Sequence, residues 1–542
     1  MAPEPDILPY GAWPSPITAA SLVEGAVGIT EVVPDGADVW WAEFRPSEAG
    51  RTALMRWQGT ETGGETAEIT PPDANVRTLV HEYGGGAWWA HEGVAYYVDV
   101  VDQRLRRLEP GGEPVFLTPE PEQPRGLRYA DGRVSPDGAW FVCVQEVHGA
   151  DHAEPVNRLV AVATDGSMAV NVLADGADFY ACPRPSPSGD RLAWVQWNHP
   201  NMPWDDTELW WADLDGGSTA GPEPIVGGGT ESIWQPEWDH LGQLYYLSDR
   251  SDLWWLYRLG DDDPLTTGGE ITTPGWVFGT SRYALDQTLD LSRVGSQVAA
   301  ADPIAVETIG GVERLALAPE LTMFGTVRAN DHGVAYAGAS WSTTASVWRG
   351  DQCVRPANDH GVAAGFLPEP ESITFATSGG AEAHALFYAP ANPDVAGPPD
   401  AKPPLLVLAH GGPTSAARAM LDLAKRYWTS RGIAVVDVNY RGSVGYGRAY
   451  RNQLRGQWGI ADVDDCVHAA RYLVDRGDVD GERLLIKGGS AGGFTVLAAL
   501  VRYDDFAAGA SRYGVADLEA LATDTHKFES RYLDLLIGPY PE

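Results

Sequence analysis

Over its first two thirds the chain reads as short apolar and aromatic runs of strand length, VWWAEF, VAYYVDV, RLAWVQW and QLYYLSD among them. Polar turn clusters separate them: PDG at 34–36, SPDG at 135–138 and SPSG at 186–189. The turn glycine ahead of each aromatic run falls at Gly36, Gly93, Gly138, Gly189, Gly242 and Gly333, with spacings of 57, 45, 51, 53 and 91 residues. The last gap holds two periods, the intervening turn lying near Asp286-Gln287-Thr288. Seven units of about 50 residues, built of strands and turns without helical periodicity, predict β-propeller blades. One four-stranded blade cannot bury its own faces; stacking blades around a ring does, with large aromatics filling the space between sheets. A pair of β-sandwiches, which also shows regular short strands, is the alternative.

A connector rich in Pro, Gly and Ala runs from Pro356 to Pro370, and the pattern then changes. Strand-like runs at Ile373–Thr377, His384–Tyr388, Leu405–Ala409, Ile433–Val438, Leu484–Lys487 and Ala507–Ser511 alternate with helical stretches. In the helix at 461–476, Val463, Val467, Ala470 and Val474 recur at intervals of 4, 3 and 4. Such alternation predicts a parallel α/β sheet. The expected fold class is therefore β plus α/β, with an N-terminal extension at 1–24, a seven-bladed β-propeller at 25–360 and an α/β-hydrolase domain at 361–542.

Composition narrows the function classes. The 542 residues are 44% apolar, enough for several cores, yet no run approaches the roughly 20 apolar residues of a membrane span. The opening MAPEPDILPYGAWPSP lacks the basic and apolar regions of a signal peptide. Cys143, Cys182, Cys353 and Cys466 form no CxxC pair, so zinc and redox motifs are absent and buried free thiols in a cytoplasmic protein are expected. A net charge of −37 repels phosphate backbones and excludes nucleic acid as a partner. A GC-rich genome and halophilic adaptation both fit that acidity and the near absence of lysine.

One motif carries chemistry. Gly488-Gly489-Ser490-Ala491-Gly492-Gly493 follows the apolar strand LLI and opens the helix FTVLAALV, which is G-x-S-x-G in its strand–turn–helix setting. A hydroxyl is a weak nucleophile and must be thrust from the sheet edge toward a base. The helix start behind Ser490 directs backbone amides, that of Ala491 included, toward a developing oxyanion. A plain βα turn or phosphate loop uses similar residues, but no G-K-[ST] follows. His410-Gly411-Gly412-Pro413 ends the strand LLVLAH, where a glycine loop supplies the second oxyanion amide in this kind of fold, here assigned to Gly412. His410 precedes the serine, whereas the fold orders its triad Ser, acid, His, so His410 is assigned to fixing the loop.

Together HGGP, Asn439-Tyr440-Arg441-Gly442-Ser443 with Gly445-Tyr446-Gly447, and GGSAGG resemble the prolyl oligopeptidase family of serine peptidases, in its acylaminoacyl-peptidase and oligopeptidase branch. The resemblance covers essentially the whole chain, since a propeller before the hydrolase domain is that family's architecture. It implies a pocket for the residue before the scissile bond, walled here by Val515, Leu518, Phe528 and Tyr532, with Leu518 in place of an aromatic residue. All four also suit an ordinary core. It implies short peptides as substrates, selected by size at the propeller, and no metal or organic cofactor.

The sequence departs from a complete triad. The only histidine after Ser490 is His526, in THKFESRY, and the closing LDLLIGPYPE shows no helical pattern. The expectation is a hydrolase domain lacking its last strands together with the triad Asp and His, hence an inactive chain. Asp524 and His526 as a compact dyad are the alternative. Two other functions compete with the peptidase: a carboxylesterase, and a propeller binding module carrying an inactive hydrolase domain. No two glutamates are adjacent, which argues against the Glu-Glu amine anchor of dipeptidyl-releasing members.

Overall fold

The computed structural model describes residues 5–60, 63–149, 154–266, 269–271, 273–286, 291–294, 305–308, 311–313, 318 and 320–541. Among them the first part forms six four-stranded antiparallel sheets and one three-stranded sheet, Ile233–Trp238, Leu244–Ser251 and Leu253–Arg258. Every sheet is a simple meander. The first strands, from Gly28–Asp35 to Met323–Asn330, touch one another in chain order, and the last touches the first, which is a propeller-like ring. The two sandwiches are thereby excluded.

The periodic glycines do what the spacing implies. Gly36, Gly93, Gly138, Gly189, Gly242 and Gly333 all have positive φ, and each lies in or at the exit of the hairpin joining the first two strands of its sheet. L-residues with a Cβ avoid that region, so glycine marks the turn. Of the turn expected at Asp286-Gln287-Thr288, Gln287 and Thr288 lie outside the described residues. The ring closes without strand exchange. Arg349 reaches the Asp38 carbonyl at 3.2 Å, Arg355 pairs with Glu43 at 3.3 Å, and Val347 and Val354 pack with Trp41 and Trp57.

The first-strand pairings of five sheets carry a register shift, at Ile29/Val32, Ala130/Arg133, Ala181/Arg184, Trp234/Glu237 and Phe324/Val327. Such bulges bend a strand and re-aim its side chains. Arg133, Arg184, Glu237 and Arg328 consequently line a common cavity of about 380 Å³.

The second part is a six-stranded sheet ordered Glu371–Ala376, Glu382–Tyr388, Ala434–Asn439, Leu405–Ala409, Leu484–Gly489, Ala508–Arg512. The expectation of a parallel sheet is corrected for its first two strands, which form a hairpin and join Ala434–Asn439 antiparallel. The remaining pairings are parallel. Helix Ala461–Asp475 buries Val463, Val467 and Ala470, while its polar side engages Asp465 with Arg441 at 2.8 Å and Asp462 with Thr495 at 2.5 Å. Residues Tyr532–Leu536 form a short helix, contrary to the reading of the closing segment. The described start of the extension, from residue 5 onward, belongs spatially to this part: Asp6–Ile7 pairs with Val395–Ala396, and Trp13 packs against Gly432. Cys353 is exposed, which corrects the expectation of four buried thiols; the other three are buried, and all four are unpaired.

Candidate active site

Ser490 sits between strand Leu484–Gly489 and helix Ala491–Arg502, exposed, with φ 53° and ψ −124°. That backbone is strained for a residue with a Cβ and persists because its surroundings over-determine it. The Ser490 amide donates to the Arg512 carbonyl at 3.1 Å, and its carbonyl accepts from Gly493 at 2.9 Å and Val515 at 3.3 Å. A Cβ on Gly492 would lie 2.2 Å from the Ala409 carbonyl oxygen. Glycine there lets the helix start press against the neighbouring strand. Ala491, buried at the first helical position, has an amide with no acceptor inside the helix.

The loop after Leu405–Ala409 comes up beside the serine: a Cβ built on Gly411 would lie 3.5 Å from that of Ser490. Gly412 turns the loop with φ +119°, and a side chain there would meet the Thr414 amide at 2.7 Å. His410 holds the loop. Its Nδ1 donates to the Gly411 carbonyl at 2.8 Å, Nε2 accepts from the Ser443 hydroxyl at 2.8 Å, and the ring stacks on Tyr440 at 4.2 Å. Burial lowers its pKa, which keeps the ring neutral as this bonding requires.

Val515 is tied to Ser490 by that backbone hydrogen bond, and Leu518 opens helix Leu518–Thr523 behind an Asp517 cap. Both are half-buried against the core that holds Phe528 and Tyr532. The Tyr532 hydroxyl bonds the Thr414 hydroxyl at 2.6 Å and accepts from its amide at 3.2 Å, bracing the glycine loop. Phe528 stacks on His81 at 4.9 Å and packs near Phe179 and Trp276. Trp276 also donates to the Thr414 carbonyl at 2.7 Å and meets Tyr532 edge-on at 5.6 Å. His81, Tyr83, Phe179, Trp204 and Trp276 are propeller residues that the sequence reading missed. A signal was present in His81-Glu82-Tyr83-Gly84-Gly85-Gly86, where all the glycines, and His81 and Glu82 as well, have positive φ. Burial pushes the His81 imidazole down to about 4, so it is a neutral aromatic surface.

His526 lies apart from the elbow's bonding. Its Nε2 is 3.4 Å from Glu529, and its ring meets Tyr83 edge-on at 5.5 Å. Asp524 ends the short helix that Asp517 caps, and among the described residues no ion pair joins it to His526, whose ion-pair partner is Glu529. Among the described residues, no group of three or more His, Cys, Asp or Glu side chains is arranged to hold a metal.

The sequence profile described as "Prolyl oligopeptidase family" matches residues 420–542. A solved Mycobacterium tuberculosis puromycin-hydrolyzing peptidase is 39% identical, with a TM-score of 0.92 over 99% of this chain and 85% of its own. A solved puromycin hydrolase is 37% identical, with the same TM-score and coverage. The dipeptidyl aminopeptidase BIII of Pseudoxanthomonas mexicana is 33% identical over 141 residues, 26% of this chain; the chain spans only 20% of that curated relative's length.

Proposed function

We propose that this chain, which belongs to the prolyl oligopeptidase family, is a serine peptidase that hydrolyses short peptides through an acyl-enzyme on Ser490. The observation that carries the reading is the backbone of Ser490, held at φ 53° between strand and helix with the Gly411 loop packed against it. A strained elbow beside a glycine loop is what exposure of a nucleophile to an oxyanion site requires. In this reading Ser490 attacks the carbonyl, the amides of Gly412 and Ala491 receive the oxyanion, and Val515, Leu518, Phe528 and Tyr532 accept the preceding side chain. The names of the two similar structures support amide hydrolysis, puromycin being an aminoacyl nucleoside joined by an amide.

The propeller stands over Phe528 and Tyr532 and would admit only short, unfolded chains. We read the three-stranded sheet as one of seven blades, because its first strand contacts the first strands of its neighbours in the ring. A cytoplasmic location belongs to the same reading and rests on the four unpaired cysteines.

The test compares blocked and free peptides of rising length, small esters and folded proteins, at high enzyme concentration, with Ser490→Ala as control. Turnover above the Ser490→Ala background, however small, with peptide binding unchanged in that variant, supports the peptidase, since the hydroxyl matters mainly in the transition state. Ester cleavage that ignores peptides replaces it with an esterase. Equal attack on folded proteins removes the size filter.

A further inference from the structure

Between the propeller and the Gly411–Ser415 loop lies a cavity of about 350 Å³, lined by residues of 273–282 and 323–345 on one side and by Ser415, Arg418 and Met420 on the other. Its lining includes two arginines and, among the described residues, no carboxylate. Arg282 is only 4% exposed. Its Nε donates to the Ile271 carbonyl at 3.2 Å and its Nη1 to those of Phe324 and, at 2.7 Å, Gly325, leaving Nη2 buried without an acceptor. Arg418, half-buried in the lining, makes no hydrogen bond or ion pair with any described residue, although a charge drawn out of water is ordinarily paired.

The Arg418 charge also reaches Arg282. Burial first, and then the Arg418 charge, push Arg282 down to about 9; it stays protonated at neutral pH. Two like charges held in one cavity with an unsatisfied N–H need an anion. The planar fork of each guanidinium matches a carboxylate better than any other common group. The cavity also adjoins the candidate active site. Trp276 lines it while bonding Thr414 and packing on Tyr532, and the loop that carries Ser415 begins at Gly411, against Ser490.

We propose that this cavity binds a carboxylate of the peptide whose scissile carbonyl lies at Ser490, with Arg418 and Arg282 as the recognising groups; the inference rests on the peptidase reading. The carboxylate is the C-terminus of a short peptide or an acidic side chain near it. Either source would give a preference for free or acidic peptides that the chain's own charge of −37 disfavours at long range.

The experiment is calorimetric titration of the 542-residue chain with acetyl-tetra-alanine as free acid, as C-terminal amide, and as an amide ending in Glu. The free acid or the Glu-containing amide should bind about tenfold or more tightly than the plain amide, as a charged hydrogen bond allows. Arg418→Gln should erase that preference and leave plain-amide affinity unchanged, and Arg418→Lys should keep part of it. Arg418 has no partner to strand, so the variant should melt with the wild type. A preference of the acid alone assigns the C-terminus, and one of the Glu peptide assigns the side chain. Equal binding of all three peptides, or a preference that survives Arg418→Gln, overturns the inference while leaving the peptidase reading intact. Failure of every peptide to bind overturns both.

Discussion

Asp249 of the propeller accepts a hydrogen bond from Nη1 of Arg448 in the hydrolase part at 2.8 Å, and the same carboxylate oxygen accepts from Arg451. Asp249 is buried, its own amide and other oxygen knit into the sheet through Ser232. Arg451 continues to the Trp204 carbonyl at 2.9 Å, and Arg455 reaches Asp205 at 2.9 Å. One acidic residue on the ring thus holds a helix start of the other domain.

Asp249→Ala should therefore destabilise strongly. It removes the ion-pair partner of buried Arg451, leaving Glu270 near that charge, and of half-buried Arg448, a change that typically costs about 3–5 kcal/mol. In urea unfolding the expected result is a lower midpoint, with the propeller and hydrolase transitions separating. A variant with unchanged midpoint and a single transition would show that other contacts hold the domains together.

At the aromatic junction two substitutions should separate bracing from binding. Tyr532→Phe removes the hydroxyl that braces Thr414 and should cost about 1 kcal/mol of stability. Phe528→Ala empties the space between His81, Phe179 and Trp276. Its cost should be about 3–5 kcal/mol, with weaker peptide binding and an altered preference before the cut. Thermal melts and peptide titrations on the same samples check both; unchanged peptide binding in Phe528→Ala would leave that residue a core position.

Glu270 gives a pH dependence with a defined sign. It is fully buried and accepts from the Gly445 amide at 2.6 Å across the domain boundary. Burial, opposed by Arg451, raises its pKa from 4.5 to about 7. A carboxyl raised on folding contributes stability that is present below about 4.5 and lost as pH rises through about 7, up to about 3 kcal/mol once fully ionised. Glu31, also raised to about 7 by burial, acts in the same direction. Glu270→Gln should flatten the fall in melting temperature between pH 5 and pH 8 and make the chain more stable than wild type at pH 8. An unaltered pH profile would place the dependence elsewhere.

Much of this was legible where local backbone demands select a residue type. Gly36 through Gly333 reported hairpins because positive φ needs glycine, and Gly492 reported the elbow because a Cβ would meet Ala409. The hairpin of Glu371–Ala376 with Glu382–Tyr388 was misread because apolar periodicity carries no strand direction. The bulges that aim Arg133, Arg184 and Arg328 at one cavity add one residue each and leave the apolar pattern intact. The junction of His81, Tyr83 and Trp276 with Phe528 and Tyr532 joins residues hundreds of positions apart, for which a single sequence gives no distance signal.

Turnover by the 542-residue chain should be residual. A serine hydroxyl needs an adjacent base to become a nucleophile, and the base needs a group to orient it. Among the described residues neither nearby histidine is placed for that work. His410 spends both ring nitrogens on Gly411 and Ser443, and His526 is engaged with Glu529 and Tyr83. Oxyanion donors and substrate binding alone leave a residual acceleration of about 10³–10⁴ over water. Peptide and ester hydrolysis followed at pH 8, with Ser490→Ala in parallel, reads this directly. Fast turnover abolished by Ser490→Ala would mean that a base reaches Ser490 in solution; its loss in His410→Ala or His526→Ala would then say which ring supplies it, and a loop at Gly411 or a junction at Tyr83 would have to open to release that ring.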